Sequence, residues 1–213
     1  MRNTPLEHLC GTAAPLLRAN VDTDAIAPSR VKMTVDSRDL TDALFREWRD
    51  ADPDFVLNRP ERAGAAFLVS LDNFGCGSSR ETAVWALRDY GFRCVVAPSF
   101  GAIFQANCAR NGVAPVVLDR VLVEALGTAV EADPMLRLEL DLAAQRLSAS
   151  NGFEAMFAID PGPKRMLIEG LDSIGFTLTL RKDIEAFRAS DRLVRPWVYA
   201  LGRDGALAGE ELS

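Results

Sequence analysis

Between residues 65 and 118 the chain alternates short apolar runs with amphipathic ones, and few folds accept that order. Ala65 to Leu71, AAFLVSL, is an apolar run of strand length. A glycine turn follows, and the spacing then predicts a helix from about Ser79 to Tyr90, with Gly91 where a left-handed C-terminal cap belongs. RCVVAP (93–98) reads as a second strand, stopped by Pro98. Ser99 stands where it would cap a further helix, FGAIFQANCARN, with Ile103, Phe104 and Cys108 on one face and an exit at Asn111-Gly112. APVVL is then a third strand. The order strand, helix, strand, helix, strand requires parallel pairing through right-handed crossovers, an α/β fold with a βαβαβ core.

The flanks are less regular. In PLLRANVDTDAIAPSR, Asp22, Thr23, Asp24 and Pro28 predict a polar loop after a short strand. RDLTDALFREWR (38–49) puts Leu40, Ala43, Leu44 and Trp48 on one helical face, and Pro53 ends that pattern. MLRLELDLAAQRLSA (135–149) alternates leucines as a half-buried strand does, and FEAMFAI (153–159) reads as its hairpin partner. KRMLIEG and KDIEAFRAS read as helical, and SIGFTLTL as a strand or extended segment. Past Arg195 the pattern fades into a loosely docked tail. No linker rich in Gly, Pro or Ser divides the chain, so a single domain over 1–213 is expected, with a C-terminal tail from about 195.

Several classes of function are disfavoured. With 24 Lys and Arg against 30 Asp and Glu, the formal charge of −6 argues against non-specific nucleic-acid binding. No run of 18 apolar residues predicts a membrane span, and MRNTPLEHLCGTAAPLL is a poor signal peptide. Cys10, Cys76, Cys94 and Cys108 have no close spacing, which points to free thiols in a reducing cytoplasm.

The segment that concentrates chemistry is DNFGCGSSRETAVWAL (72–87). Ser78-x-x-Glu81 fits a capping box. Arg80 does not suit that setting, because a cation at a helix N-terminus opposes the helix dipole. An anion is the partner that would reconcile it, and a strand-to-helix turn is where open α/β sheets bind ligands. Familiar alternatives fail. GCGSSR is not G-x-G-x-x-G, no P-loop is present, and neither GCGSS nor GSSRE is a G-x-S-x-G elbow. His8 is the only histidine, and no metal-ligand spacing occurs. Serine, arginine and a glycine turn without a base or metal are an incomplete inventory for an enzyme, which would make sense if another chain supplied the rest of the site.

These residues resemble the aconitase swivel-domain family, and within it the small subunits of 3-isopropylmalate dehydratase. The likeness runs through AAPLLRANVDTDAIAPSR, PDFVLNRP, NFGCGSSRETAVWALRDYGFRCVVAPSFGAIFQANCARNG and EGLDSIGFTLTL, in the family's order. It implies a single swivelling β/β/α three-layer domain and a dehydration–rehydration of a small hydroxy-dicarboxylate in leucine biosynthesis. It also implies a large subunit carrying a [4Fe–4S] cluster, no metal on this chain, and cytoplasmic location. Carried over, Ser78 matches the base that removes the proton alpha to a carboxylate. Ser79, Arg80 and Asp24 match its substrate-binding neighbours. Arg30 and Lys32, in the segment where the family sets substrate preference, are candidates for a second carboxylate.

Where the family motif commonly continues SREH, this chain has Thr82. That departure leaves two rivals open. One is a related hydro-lyase acting on a methylmalate- or citraconate-type acid. The other is a partner-binding subunit with no catalytic residues of its own. Val31, Lys32 and Met33, in the segment from Pro28 to Asp39 where the family sets substrate preference, bear on the same question.

Overall fold

A computed structural model describes residues 3–28 and 40–200. Its contacts divide the chain into two compact units, one ending at Asp172 and one starting at Ser173.

The first unit is built on a parallel sheet of four strands: β1 (His8–Gly11) belongs elsewhere, while β2 (Ala13–Leu16), β3 (Phe67–Ser70), β4 (Cys94–Ala97) and β5 (Ala114–Val117) lie side by side in that order. The expected three-strand core is present, and β2 extends it by one. These strands read as unbroken apolar runs because both faces are covered. Ala14, Leu16, Leu68, Val95 and Ala97 face one cluster, shared with helices α3 (Glu81–Tyr90) and α4 (Ala102–Arg110). Ala13, Phe67, Val69, Cys94 and Val96 face the other, shared with helix α5 (Arg120–Ala132) and a second sheet. That sheet is antiparallel, ordered β1, β6 (Leu138–Asp141), β7 (Arg146–Ala149), β8 (Glu154–Met156). Sheet, sheet and helices make the three layers expected of the family. Arg62, only 2% exposed, spans from the Ala13 carbonyl (3.3 Å) to the Glu131 carbonyl (3.4 Å), tying β2 to the end of α5.

Several local expectations are corrected. Residues 135–149 are two strands joined by a turn, with Gln145 at φ +56°, rather than one strand. The helix expected through 40–49 is broken. Phe45 adopts φ +47° so that its ring is fully buried and stacks on Trp48 (5.3 Å), and α2 (Arg46–Ala51) starts only after it. The polar loop at 22–28 contains a one-turn helix, α1 (Thr23–Ile26), whose cap is the Asp22 carboxylate accepting from the Ala25 N–H at 2.7 Å. Ser99 caps nothing: its hydroxyl accepts from the Asn73 N–H, and the cap position of α4 is Gly101, which has no side chain to cap with. Helix α5 and strand β1 carry no sequence expectation, although α5 buries Val123, Leu126, Gly127 and Val130 on one face. A further helix, α6 (Pro161–Glu169), falls where one is expected and ends on Gly170 in the left-handed conformation.

The second unit consists of α7 (Ser173–Thr179), α8 (Arg181–Val194) and α9 (Pro196–Ala200). Residues 173–179 are therefore helical rather than extended, and a separate short helix follows Arg195. Among the described residues no helix is long and apolar enough to cross a membrane.

Candidate active site

The carboxyl ends of the parallel strands carry three loops, and backbone hydrogen bonds stitch them together. After β2, the Val21 carbonyl accepts from Gly75 (2.7 Å), while the Thr23 N–H donates to the Cys76 carbonyl (2.9 Å). After β4, the Ser99 carbonyl accepts from Phe74 (3.1 Å), and Gly101 donates to the Phe74 carbonyl (2.9 Å). The glycine turn after β3 is thus held from both sides, as if the sheet continued for one more residue pair on each side.

Two glycines make this approach feasible. Gly75 has φ +72°, and a Cβ there would lie 2.1 Å from the ring of Phe104. Gly101 sits so close to the Gly75 carbonyl that a Cβ would come within 2.4 Å of it. Beneath them Phe74, Phe100 and Phe104 form a cluster, with Phe74 fully buried and 5.4 Å from Phe104. The floor is apolar and closely packed, and the polar side chains of the turn lie at its surface.

Ser78, Ser79 and Arg80 lead into α3, whose first residue is Glu81 rather than Ser79. The predicted capping box does not form. Arg80 occupies the cap position with no side-chain hydrogen bond to the helix. Each box partner is engaged elsewhere. Glu81 accepts from the Asn111 side chain at 2.7 Å, and Asn111 in turn accepts from the Trp85 indole at 2.8 Å. Ser78 Oγ lies 3.1 Å from Thr23 Oγ1. The helix therefore begins with N–H groups that no side chain caps, an arrangement that favours an anion.

Of the residues singled out from sequence, the structure brings four together. Ser78 and Ser79 are exposed and Arg80 half-buried, and the Arg80 guanidinium donates to the Asp24 carboxylate across the gap between two loops. Arg30 and the segment 29–39 lie outside the described residues. Sequence reasoning passed over Thr23 as a site residue. It is buried, at 1% exposure, and its hydroxyl meets both the carbonyl (3.1 Å) and the hydroxyl of Ser78. Its place between two aspartates of the same motif was the available signal. Thr82 sits in the first turn of α3 with its hydroxyl oxygen buried and no hydrogen-bond partner. His8 lies in β1, 3.9 Å from Asp141, on the other sheet.

Cluster ligation is a poor fit to these residues. Among the described residues no group of three or more His, Cys, Asp or Glu gathers to hold a metal. An iron–sulfur cluster is ordinarily held by several thiolates. Burial pushes the thiols of Cys94 and Cys108 far up, so both are held protonated.

Comparison with known proteins gives a consistent set of likenesses. Residues 3–121 match the family model described as the aconitase C-terminal domain. A 3-isopropylmalate dehydratase small subunit from Cupriavidus necator is 48% identical over 197 residues, covering 89% of this chain and 95% of that protein. Its counterpart from Magnetococcus marinus is 44% identical over 200 residues, covering 87% and 94%. Among solved structures, a crystal structure of 3-isopropylmalate dehydratase from Methanocaldococcus jannaschii superimposes with a TM-score of 0.62 at 28% identity. That match covers 85% of this chain and 99% of the other.

Proposed function

This chain belongs to the family of 3-isopropylmalate dehydratase small subunits, built on the aconitase C-terminal domain, and from that premise we propose that it supplies the proton-transfer half of a hydro-lyase site. The reaction is the interconversion of 2-isopropylmalate and 3-isopropylmalate by loss and re-addition of water, a step of leucine biosynthesis. The partner is a large subunit carrying the iron–sulfur cluster, and the working enzyme is a heterodimer of the two. A cytoplasmic setting belongs to the same reading, supported by four cysteines that remain free thiols.

One observation carries the assignment. The Ser78 hydroxyl and the Arg80 guanidinium stand at an uncapped helix start, after a turn held from both sides by backbone hydrogen bonds at the carboxyl ends of a parallel sheet. Ser78 takes the proton alpha to a substrate carboxylate and returns it on rehydration. A serine hydroxyl is a very weak acid, so its anion needs electrostatic support from N–H dipoles and a nearby cation. Arg80 grips a substrate carboxylate through two parallel hydrogen bonds, which a lysine would not reproduce. Ser79 adds a hydroxyl beside it. Asp24 acts on the substrate through Arg80, which its carboxylate orients. Arg30 is assigned the second carboxylate from its position in the sequence. No step here runs through the cluster, whose chemistry comes with the large subunit.

The test is reconstitution with an iron–sulfur large subunit under anaerobic conditions, followed by assay against isopropylmalates and methyl-substituted malates. Isopropylmalate turnover that Ser78→Ala abolishes, with assembly intact, supports the reading. Turnover only of the methyl-substituted acids would make the chain a related hydro-lyase subunit. Full activity of Ser78→Ala would remove the base.

A further inference from the structure

Among the described residues, the hydroxyl of Thr23 makes two polar contacts, both with Ser78. It donates to the Ser78 carbonyl at 3.1 Å and lies 3.1 Å from Ser78 Oγ. A threonine hydroxyl has a single proton. With that proton on the carbonyl, the contact between the two oxygens is made by Ser78, whose own O–H donates to Thr23 Oγ1. Ser78 is exposed, and to act as base it first gives its hydroxyl proton to solvent; two oxygen lone-pair sets would then face each other unless Thr23 rotated.

The surroundings permit that rotation. The Ser78 carbonyl also accepts from the Arg80 N–H at 2.8 Å, so it keeps a donor when Thr23 turns away. Thr23 is pinned in place by its backbone: its N–H donates to the Cys76 carbonyl, and its carbonyl accepts from Ala27 at 3.1 Å. At 1% exposure the side chain is shielded from water. A donor in such a place is not itself drawn off by water, so it stays available to an anion forming on Ser78.

We propose that Thr23 is a positioning residue for the proton-transfer step, its hydroxyl swinging from the carbonyl of Ser78 to the Oγ of Ser78 when that oxygen becomes anionic. The inference rests on the assignment of Ser78 as base. It adds no proton to the reaction: the Thr23 proton stays on Thr23, and only its acceptor changes. In the resting chain Thr23 accepts from Ser78 and aims its hydroxyl, and in the reacting state it donates and stabilises the anion.

The experiment uses the complex reconstituted with its large subunit and compares Thr23→Val, Thr23→Ala and Thr23→Ser, with Ser78→Ala as control. The expected result is a fall in kcat of about 100-fold or more for both hydroxyl-free variants, with KM changed by less than about threefold. Thr23→Ser should recover to within about tenfold of the parent, because it keeps the donor. Melting temperature and assembly are measured alongside, and Thr23→Ala remains informative if Thr23→Val does not fold. Parental kcat in a folded hydroxyl-free variant overturns the proposal, as does a Thr23→Ser complex no better than Thr23→Ala. If Ser78→Ala is itself fully active, the assignment of Ser78 fails first. If Ser78→Ala is inactive while Thr23→Ala is normal, only the role of Thr23 fails.

Discussion

Arg80 and Asp24 are 56 residues apart in sequence, and their side chains form an ion pair between the loop after β2 and the start of α3. The pair holds a guanidinium at the helix start, where the dipole alone would repel it. Stability is not the main consequence, because the two side chains are 29% and 56% exposed and solvent screens them. Pairs of this kind contribute at most about 1 kcal/mol. Their consequence is orientation.

Asp24→Asn should therefore leave the melting temperature of the isolated chain within a few degrees of the parent. In the reconstituted complex it should lower kcat/KM by about tenfold, because Arg80 loses the carboxylate that aims it. Arg80→Lys should lose more, about 100-fold, since a point charge cannot make the two-pronged contact with a carboxylate. Steady-state kinetics on the two variants check the order. Equal, small losses would mean that neither orientation nor the planar fork matters.

Gly75→Ala isolates the turn itself. The new methyl would overlap the Phe104 ring and would also have to accept φ +72°. Overpacking and the left-handed backbone together should cost about 3 kcal/mol. Shrinking the ring should relieve the first effect and leave the second. The double variant Gly75→Ala/Phe104→Leu should thus be less destabilised than the sum of its single variants by more than about 1 kcal/mol. Urea titrations of the four proteins measure it, and strict additivity would contradict the overlap.

The core strands β3, β4 and β5 were legible because burial on both faces leaves an apolar run that stops at a turn-forming residue, Asp72, Pro98 and Asp119 respectively. The hairpin at 138–149 was not, since the leucine alternation runs through Leu142 and no Gly or Pro marks the turn. Gln145 takes the left-handed position that glycine usually signals. Residues 173–180 misled in the other direction, because Ile174, Thr177 and Thr179 have strand preferences that a local helix overrode. At the site, the motif led to Ser78, Arg80 and Asp24, yet the capping box failed. Glu81 is drawn to Asn111 and Ser78 to Thr23, and both partners are distant in sequence. Local spacing carries no record of such competition.

The four cysteines give a prediction that depends on burial alone. Cys10 is exposed and Cys76 half-buried, whereas Cys94 and Cys108 are fully buried in the two core clusters. Desolvation raises both buried thiols, and for Cys108 the nearby Cys94 adds to the effect. At neutral pH a thiol reagent should modify Cys10 and Cys76 in the native chain and reach Cys94 and Cys108 only on unfolding. The same burial links stability to alkaline pH. In the unfolded chain these thiols ionise near pH 8.5, so above about that value the unfolded state releases protons that the folded state keeps. Their contribution to stability is fully present below about pH 8.5 and declines as pH rises beyond it, by up to about 1.4 kcal/mol per pH unit for each thiol. Replacing both by alanine lowers stability at pH 7 through lost packing but should flatten the decline between about pH 9 and 10. Urea midpoints of parent and double variant across that range decide it, and parallel curves would show that the buried thiols do not contribute to the alkaline loss.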